Sequence, residues 1–200
     1  MANIKISEMS AAVTPLTGAE LIEVSQLTGG SYDTFNTEAA DIAYAGIKLG
    51  SFLDTTDQTG NVAAATAVKF GTNDVNTKGV TVVTDGAALT RITYATAGTY
   101  MIAPSLQVAN SDAADHDVTF WFAKNGTALA NSATKLTVTK VGDGGSAFFQ
   151  IVYYVAVAAG DYVQVMWLPE NAAVTLDATA AGAIAPAVPS AIVVTERIDL

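Results

Sequence analysis

The sequence predicts an all-β protein. Three observations carry that expectation. Apolar and polar residues alternate along several stretches between Arg91 and Leu168. Gly-bearing turns interrupt those stretches at short intervals. Ala, Thr, Val and Gly dominate the composition, and the branched Cβ of Thr and Val suits a pleated surface. The clearest stretch runs from Ala97 to Val108. Tyr100, Ile102, Leu106 and Val108 fall on one face, and Met101, Ala103, Ser105 and Gln107 on the other, as in a half-buried strand.

The chain has 200 residues, 50% of them hydrophobic and 14% charged, enough for one domain with a sizeable core, with or without a small module. The formal net charge of -10 repels phosphate backbones and anionic lipid, so nucleic-acid binding is not expected. Cysteine is absent, so there is no disulfide, thiolate metal site or Cys nucleophile. Met1 to Lys5 lacks the apolar run of a signal peptide. The apolar run from Phe148 to Ala159 is too short for a membrane span and reads as a core strand, so no membrane insertion is expected.

Residues 1–46 read as a small α+β hairpin module. Thr17-Gly18-Ala19-Glu20 has capping-box spacing. Leu21 to Gln26 forms a strand, Gly29-Gly30 a turn, and Tyr32 to Asn36 the returning strand. Thr37 to Ala45 reads as a short helix stopped by Gly46. Residues 47–63 are turn-rich and read as a linker. Residues 64–200 carry the remaining strands: Ala64–Phe70, Val80–Thr84, Leu89–Ala95, Ala97–Val108, Val118–Ala123, Lys135–Val141, Phe148–Ala158, Tyr162–Trp167, Val174–Ala178 and Ala191–Ile198. Asn125-Gly126 is a strong hairpin turn, because both residues accept left-handed φ. Such spacing suits a sandwich or barrel.

Two resemblances refine this. Ile6, Ser7, Glu8, Leu16, Gly18, Glu20, Leu21, Val24 and Gln26, followed by Thr37, Asp41, Ile42 and Ala43, resemble a module near the N-terminus of many tailed-phage fibre and spike proteins; Met9 stands where that pattern has Leu. The resemblance implies that this module docks onto the virion, with Ile6, Leu16, Leu21, Val24 and Ile42 as contact candidates. Gly98-Thr99-Tyr100, Lys124-Asn125-Gly126-Thr127 and Gly160-Asp161-Tyr162-Val163-Gln164-Val165-Met166-Trp167 are similar in order to C1q/TNF-like jelly-roll domains, especially knobs of phage virion proteins. Pro186 to Val194 looks like their closing strand. The implied fold is a jelly-roll β-sandwich.

Phe148 to Ala158 is apolar on both faces. Phe149, Ile151, Tyr153 and Val155 line one side, and Phe148, Val152 and Tyr154 the other. A two-sheet sandwich buries one face of each sheet. Three large side chains left wet forfeit several kcal/mol at roughly 25 cal/mol per Å2. Closed cyclic packing resolves this, and the resemblance implies a homotrimer. Phe148, Val152, Tyr154 and Trp167 are the interface candidates.

No chemistry-bearing motif competes. His116, the only histidine, sits among Asp112, Asp115 and Asp117, without EF-hand spacing, and reads as part of a solvated acidic loop. No Gly-x-Ser-x-Gly frames a nucleophile. Glu170, Asp177 and Glu196 are glycosidase carboxylates by type only. Gly142 to Ser146 lacks the Lys-Ser/Thr of a phosphate loop. Trp121 and Trp167 read as core or interface residues. The sequence therefore predicts a non-enzymatic virion protein with no metal or cofactor, whose partners are other phage structural proteins and a host-surface glycan. The leading expectation is a trimeric tail fibre or appendage; the alternative is a trimeric capsid decoration (cement) protein stabilising the head.

Overall fold

The computed structural model describes residues 21–28, 31–38, 47–73 and 77–199. The chain divides into two units, Met1–Ile47 and Lys48–Leu200. In the first, β1 (Leu21–Thr28) and β2 (Ser31–Glu38) pair antiparallel; the expected Gly29-Gly30 turn lies outside the described residues. Thr37 and Glu38, expected to begin a helix, are the end of β2; the rest of that helix lies outside the described residues.

The second unit contains β3 (Leu49–Asp54), β4 (Gln58–Thr59), β5 (Thr66–Ala67), β6 (Thr72–Asn73), β7 (Val80–Asp85), β8 (Ala88–Tyr94), β9 (Gly98–Asn110), β10 (His116–Lys124), β11 (Thr127–Ala128), β12 (Thr134–Val138), β13 (Ser146–Gln150), β14 (Tyr153–Val157), β15 (Tyr162–Pro169), β16 (Val174–Leu176) and β17 (Ala191–Arg197). All pairings are antiparallel. The front sheet runs β6–β3–β17–β9, with β13 and β14 both on the far edge of β9 and β16 beside β9 ahead of β17. The back sheet runs β7–β8–β15–β10–β12. After β8 the chain alternates: back to front at β9, back at β10 and β12, front at β13 and β14, back at β15, front at β17. That winding is a jelly roll.

Alternation builds the core. Every even-numbered residue of β9 from Tyr100 to Asn110 is buried, and the odd ones are half-exposed. Phe52, Tyr94, Phe120, Phe122 and Trp167 fill the space between the sheets. Phe120 stacks on Phe149 at 4.3 Å between ring centroids, and Tyr94 Oη meets Thr195 Oγ1 at 3.3 Å, joining back sheet to front. The Asn125-Gly126 turn forms as expected, with φ of 49° and 79°, and starts β11.

Three sequence expectations need correction. The stretch 47–63 is not a linker: β3 pairs with β17 over six residues and buries Phe52. Its alternation is hidden because its inward positions are Gly50, Phe52 and Asp54 rather than three apolar side chains. A Cβ on Gly50 would lie 2.6 Å from the Phe52 ring, so a small residue is required there. Ala64–Phe70 contributes only the two-residue β5, although Val68 and Phe70 are buried. The expected strand over 148–158 is split into β13 and β14, opposite Ala103–Pro104 of β9. Gln107 N–H donates to Ser190 O on the β17 side, while Asn110 N–H donates to Gly145 O on the other. Even-numbered amides of β9 therefore face β13 and β14, and Pro104 has no N–H to give. The ladder breaks at that residue.

Candidate assembly face

The outward side of the front sheet is built from odd positions of β9 and even positions of β13, β14 and β17. Register places Tyr154 beside Met101, Phe148 beside Gln107, and Val194 between Ala103 and Ser51. Ile192 lies between Ser105 and Leu53. Phe148, Val152, Tyr154 and Val194 are 53%, 50%, 58% and 41% exposed, far more than large apolar side chains with a partner. Across these strands the one charged outward residue is Glu196, opposite Met101 and Leu49. Contiguous exposed apolar surface of this kind marks an interaction site.

Phe148, Val152 and Tyr154 thus sit where the sequence predicts an outward apolar surface. Trp167 does not, and its assignment to an interface is corrected. It is fully buried on β15 of the back sheet, opposite Phe120, with parallel rings 6.4 Å apart. Parity gave the signal: Trp167 shares the inward face of Val163 and Val165. Met101, Ile192, Val194 and Leu53 were missed as face residues. The clue was that Ile192-Val193-Val194 is apolar on both sides, as 148–155 is. Of the docking candidates, Leu21 and Val24 lie on β1, while Ile6, Leu16 and Ile42 lie outside the described residues.

The acidic residues around His116 are engaged locally. His116 Nε2 and Asp112 Oδ2 are 2.7 Å apart, and this hydrogen bond, with that from Ala113 N–H, holds the Asp112 carboxyl below its ordinary range. Asp115 Oδ1 accepts from Lys140 N–H at 2.8 Å. Asp117 pairs with Lys135 at 2.7 Å, and that contact, aided by Thr137, lowers its pKa. Among the described residues no three His, Asp or Glu side chains gather as a metal site. Glu196 lies opposite Met101, and Asp177 N–H donates to Gln107 O. Six residues of β9 separate those levels, about 20 Å at roughly 3.3 Å per residue. That is beyond the spacing of a glycosidase pair, roughly 5–9.5 Å. Val141–Asp143 forms a 3-10 turn capped by Gly144 rather than a phosphate loop. Gly145 has φ of 57°, and a Cβ there would lie 2.7 Å from Asn110 O. Trp121 is half-exposed beside Met166 on the outer side of the back sheet.

No family model and no curated protein matches the chain. Three crystal structures of murine APRIL resemble it. The structure at pH 5.0 has a TM-score of 0.46 and 9% identity, and those at pH 8.5 and 8.0 have TM-scores of 0.47 and 0.46 with 8% identity. Each match covers 76% of this chain and 99% of the other. Its strand order and register make the Lys48–Leu200 unit a jelly-roll β-sandwich, and the described residues are mostly β-strand.

Proposed function

We propose that this chain is a non-enzymatic structural protein of a tailed-phage virion, whose jelly-roll unit assembles as a homotrimer through the outward face of its front sheet. The observation that carries the proposal is the bare apolar surface of Phe148, Val152, Tyr154 and Val194, interrupted by a single carboxylate. Burying such side chains contributes about 1.5–3 kcal/mol each, and cyclic symmetry satisfies all copies equally. The N-terminal resemblance supports the virion assignment and favours a tail fibre or appendage, with residues 1–46 docking to neighbouring virion proteins. The knob then presents its loops to a host-surface glycan. Three weak sites held together act through effective concentration.

Native mass spectrometry of the full chain is expected to give three copies. Gold-labelled antibody on intact particles is expected at the tail vertex. A monomeric mass overturns the assembly reading. Label over the whole shell overturns the fibre reading in favour of a cement protein.

A further inference from the structure

The turn between β10 and β11 holds a reactive pair. Asn125-Gly126 is the only Asn-Gly step in the chain, and both residues are exposed to water. Gly126 has no side chain to shield its amide nitrogen, so the backbone can attack the preceding carboxamide. The step needs only water. The Gly126 nitrogen bonds to Asn125 Cγ, the Cγ–Nδ2 bond breaks, and Nδ2 leaves as ammonia with the proton that Gly126 gives up. Water then opens the cyclic imide at either carbonyl, leaving aspartate or isoaspartate at that position.

The fold holds both ends of the reacting amide. Asn125 Nδ2 donates to Asp161 Oδ1 at 2.7 Å, and Asn125 Oδ1 accepts from Tyr162 N–H at 2.9 Å. Asn125 N–H donates to Tyr162 O at 3.0 Å. Ring closure makes Cγ tetrahedral, and the planar amide's bonds to Asp161 and Tyr162 do not survive that change of shape. Asp161 is itself fixed. Its Oδ2 accepts from Ala158 N–H at 2.8 Å, inside the turn where Asp161 N–H donates to Ala158 O at 3.1 Å. Lys124 Nζ lies 3.9 Å from the same oxygen. Hydrogen bonds from Asn125 and Ala158 N–H lower the Asp161 pKa, so the acceptor stays charged at neutral pH.

We propose that Asn125-Gly126 is a deamidation site kept closed by Asp161, converting only in chains whose β10–β11 turn has come away from the start of β15. The rate then follows the population of the open turn. One hydrogen bond to a charged group changes that population roughly ten- to a hundredfold. Conversion is one-way. It sets a second carboxylate against Asp161 or, as isoaspartate, lengthens the backbone inside a hairpin that pairs Lys124 with Thr127. Either product opposes closure, so the site keeps a covalent record that its turn has opened.

The test follows conversion at Asn125 by peptide mass spectrometry in full-length chains held in one mildly alkaline buffer. Wild type is compared folded and in urea. Asp161→Ala, Asp161→Asn and Asp117→Asn are run without urea, each checked for folding by circular dichroism. Folded wild type should convert roughly ten- to a hundredfold more slowly than wild type in urea. Folded Asp161→Ala should lose most of that protection. Asp117→Asn, which removes the ion pair with Lys135 elsewhere on the back sheet, should keep it. Equal rates in folded and urea-treated wild type overturn the proposal. A wild-type rate in folded Asp161→Ala overturns the part given to Asp161. Equal acceleration by Asp117→Asn does so too, because the rate then follows global stability. If Asp161→Ala does not fold, Asp161→Asn decides: it keeps the shape without the charge, faster conversion is expected, and an unchanged rate removes Asp161 from the mechanism.

Discussion

The two outward faces of this sandwich are finished differently. The back sheet carries ion pairs: Lys135 with Asp117 at 2.7 Å, Arg91 with Asp85 at 2.8 Å, and Lys124 with Asp161 at 3.9 Å. Arg91 also lies 4.6 Å over the Tyr162 ring. The front sheet carries Phe148, Val152, Tyr154 and Val194 and one carboxylate. Both sheets share one core, so the contrast does not come from folding within a chain. It teaches that two sheets built around one core can carry different outward chemistry, charged pairs on one and large apolar side chains on the other.

Four measurements break or sharpen this contrast. Trp167→Ala, in the core common to both faces, should cost about 3–5 kcal/mol of unfolding free energy, read by urea denaturation. A change small enough to match a surface substitution would mean that the packing between the sheets is looser than described. Tyr154→Asp on the bare face should cost about 2–3 kcal/mol in association, roughly a hundredfold, by burying an unpaired charge. Its circular dichroism spectrum should stay that of the wild type. If sedimentation shows the trimer unaffected, the front face is not the contact.

Asn125→Asp at the rim of the back sheet should lower the melting temperature by a few degrees. Asn125 Nδ2 donates to Asp161 Oδ1 at 2.7 Å, and the substitution sets a second carboxylate there. Equal stability of the two proteins in calorimetry would remove that contact from the stabilising set. The smallest effect concerns acid. The pKa values of Asp117 and Asp161 are depressed, chiefly by hydrogen bonds from Lys135 and Asn125 respectively. A depressed carboxylate stabilises the fold above its unfolded pKa, near 4, and that contribution is lost as pH falls below it. Melting temperature should decline from pH 5 to pH 3, and less steeply in Asp117→Asn. Parallel pH profiles would show that the pair contributes nothing.

Much of this was legible in the sequence where one rule operated alone. β9 alternates without exception, and Asn125-Gly126 needs only its own φ values, so both were readable. Features set by two segments together were not. The division of 148–158 depends on Pro104, forty-odd residues earlier, whose missing amide interrupts the ladder. β3 was hidden because Gly50 must yield space to the Phe52 ring. Trp167 was readable from parity with Val163 and Val165, but its hydrophobicity equally suits an interface, and only the sheet assignment separates the two. The projecting hairpin at Thr179–Val188 falls in an uncharged run, and composition alone does not say whether such a run is core or projection.

The position of β17 also constrains how the protein is made. Ala191–Arg197 is wedged between β3, Leu49–Asp54, and β9, Gly98–Asn110. Until the ribosome has released that segment, the front sheet has a vacant slot with two unpaired edges, each a template for a neighbouring nascent chain. Closure must wait for contacts spanning over a hundred residues, a topology that folds slowly. The keystone is therefore the last strand of this unit to be made, and a chain stopped shortly before residue 191 should emerge as a polymerisation hazard rather than as a smaller sandwich.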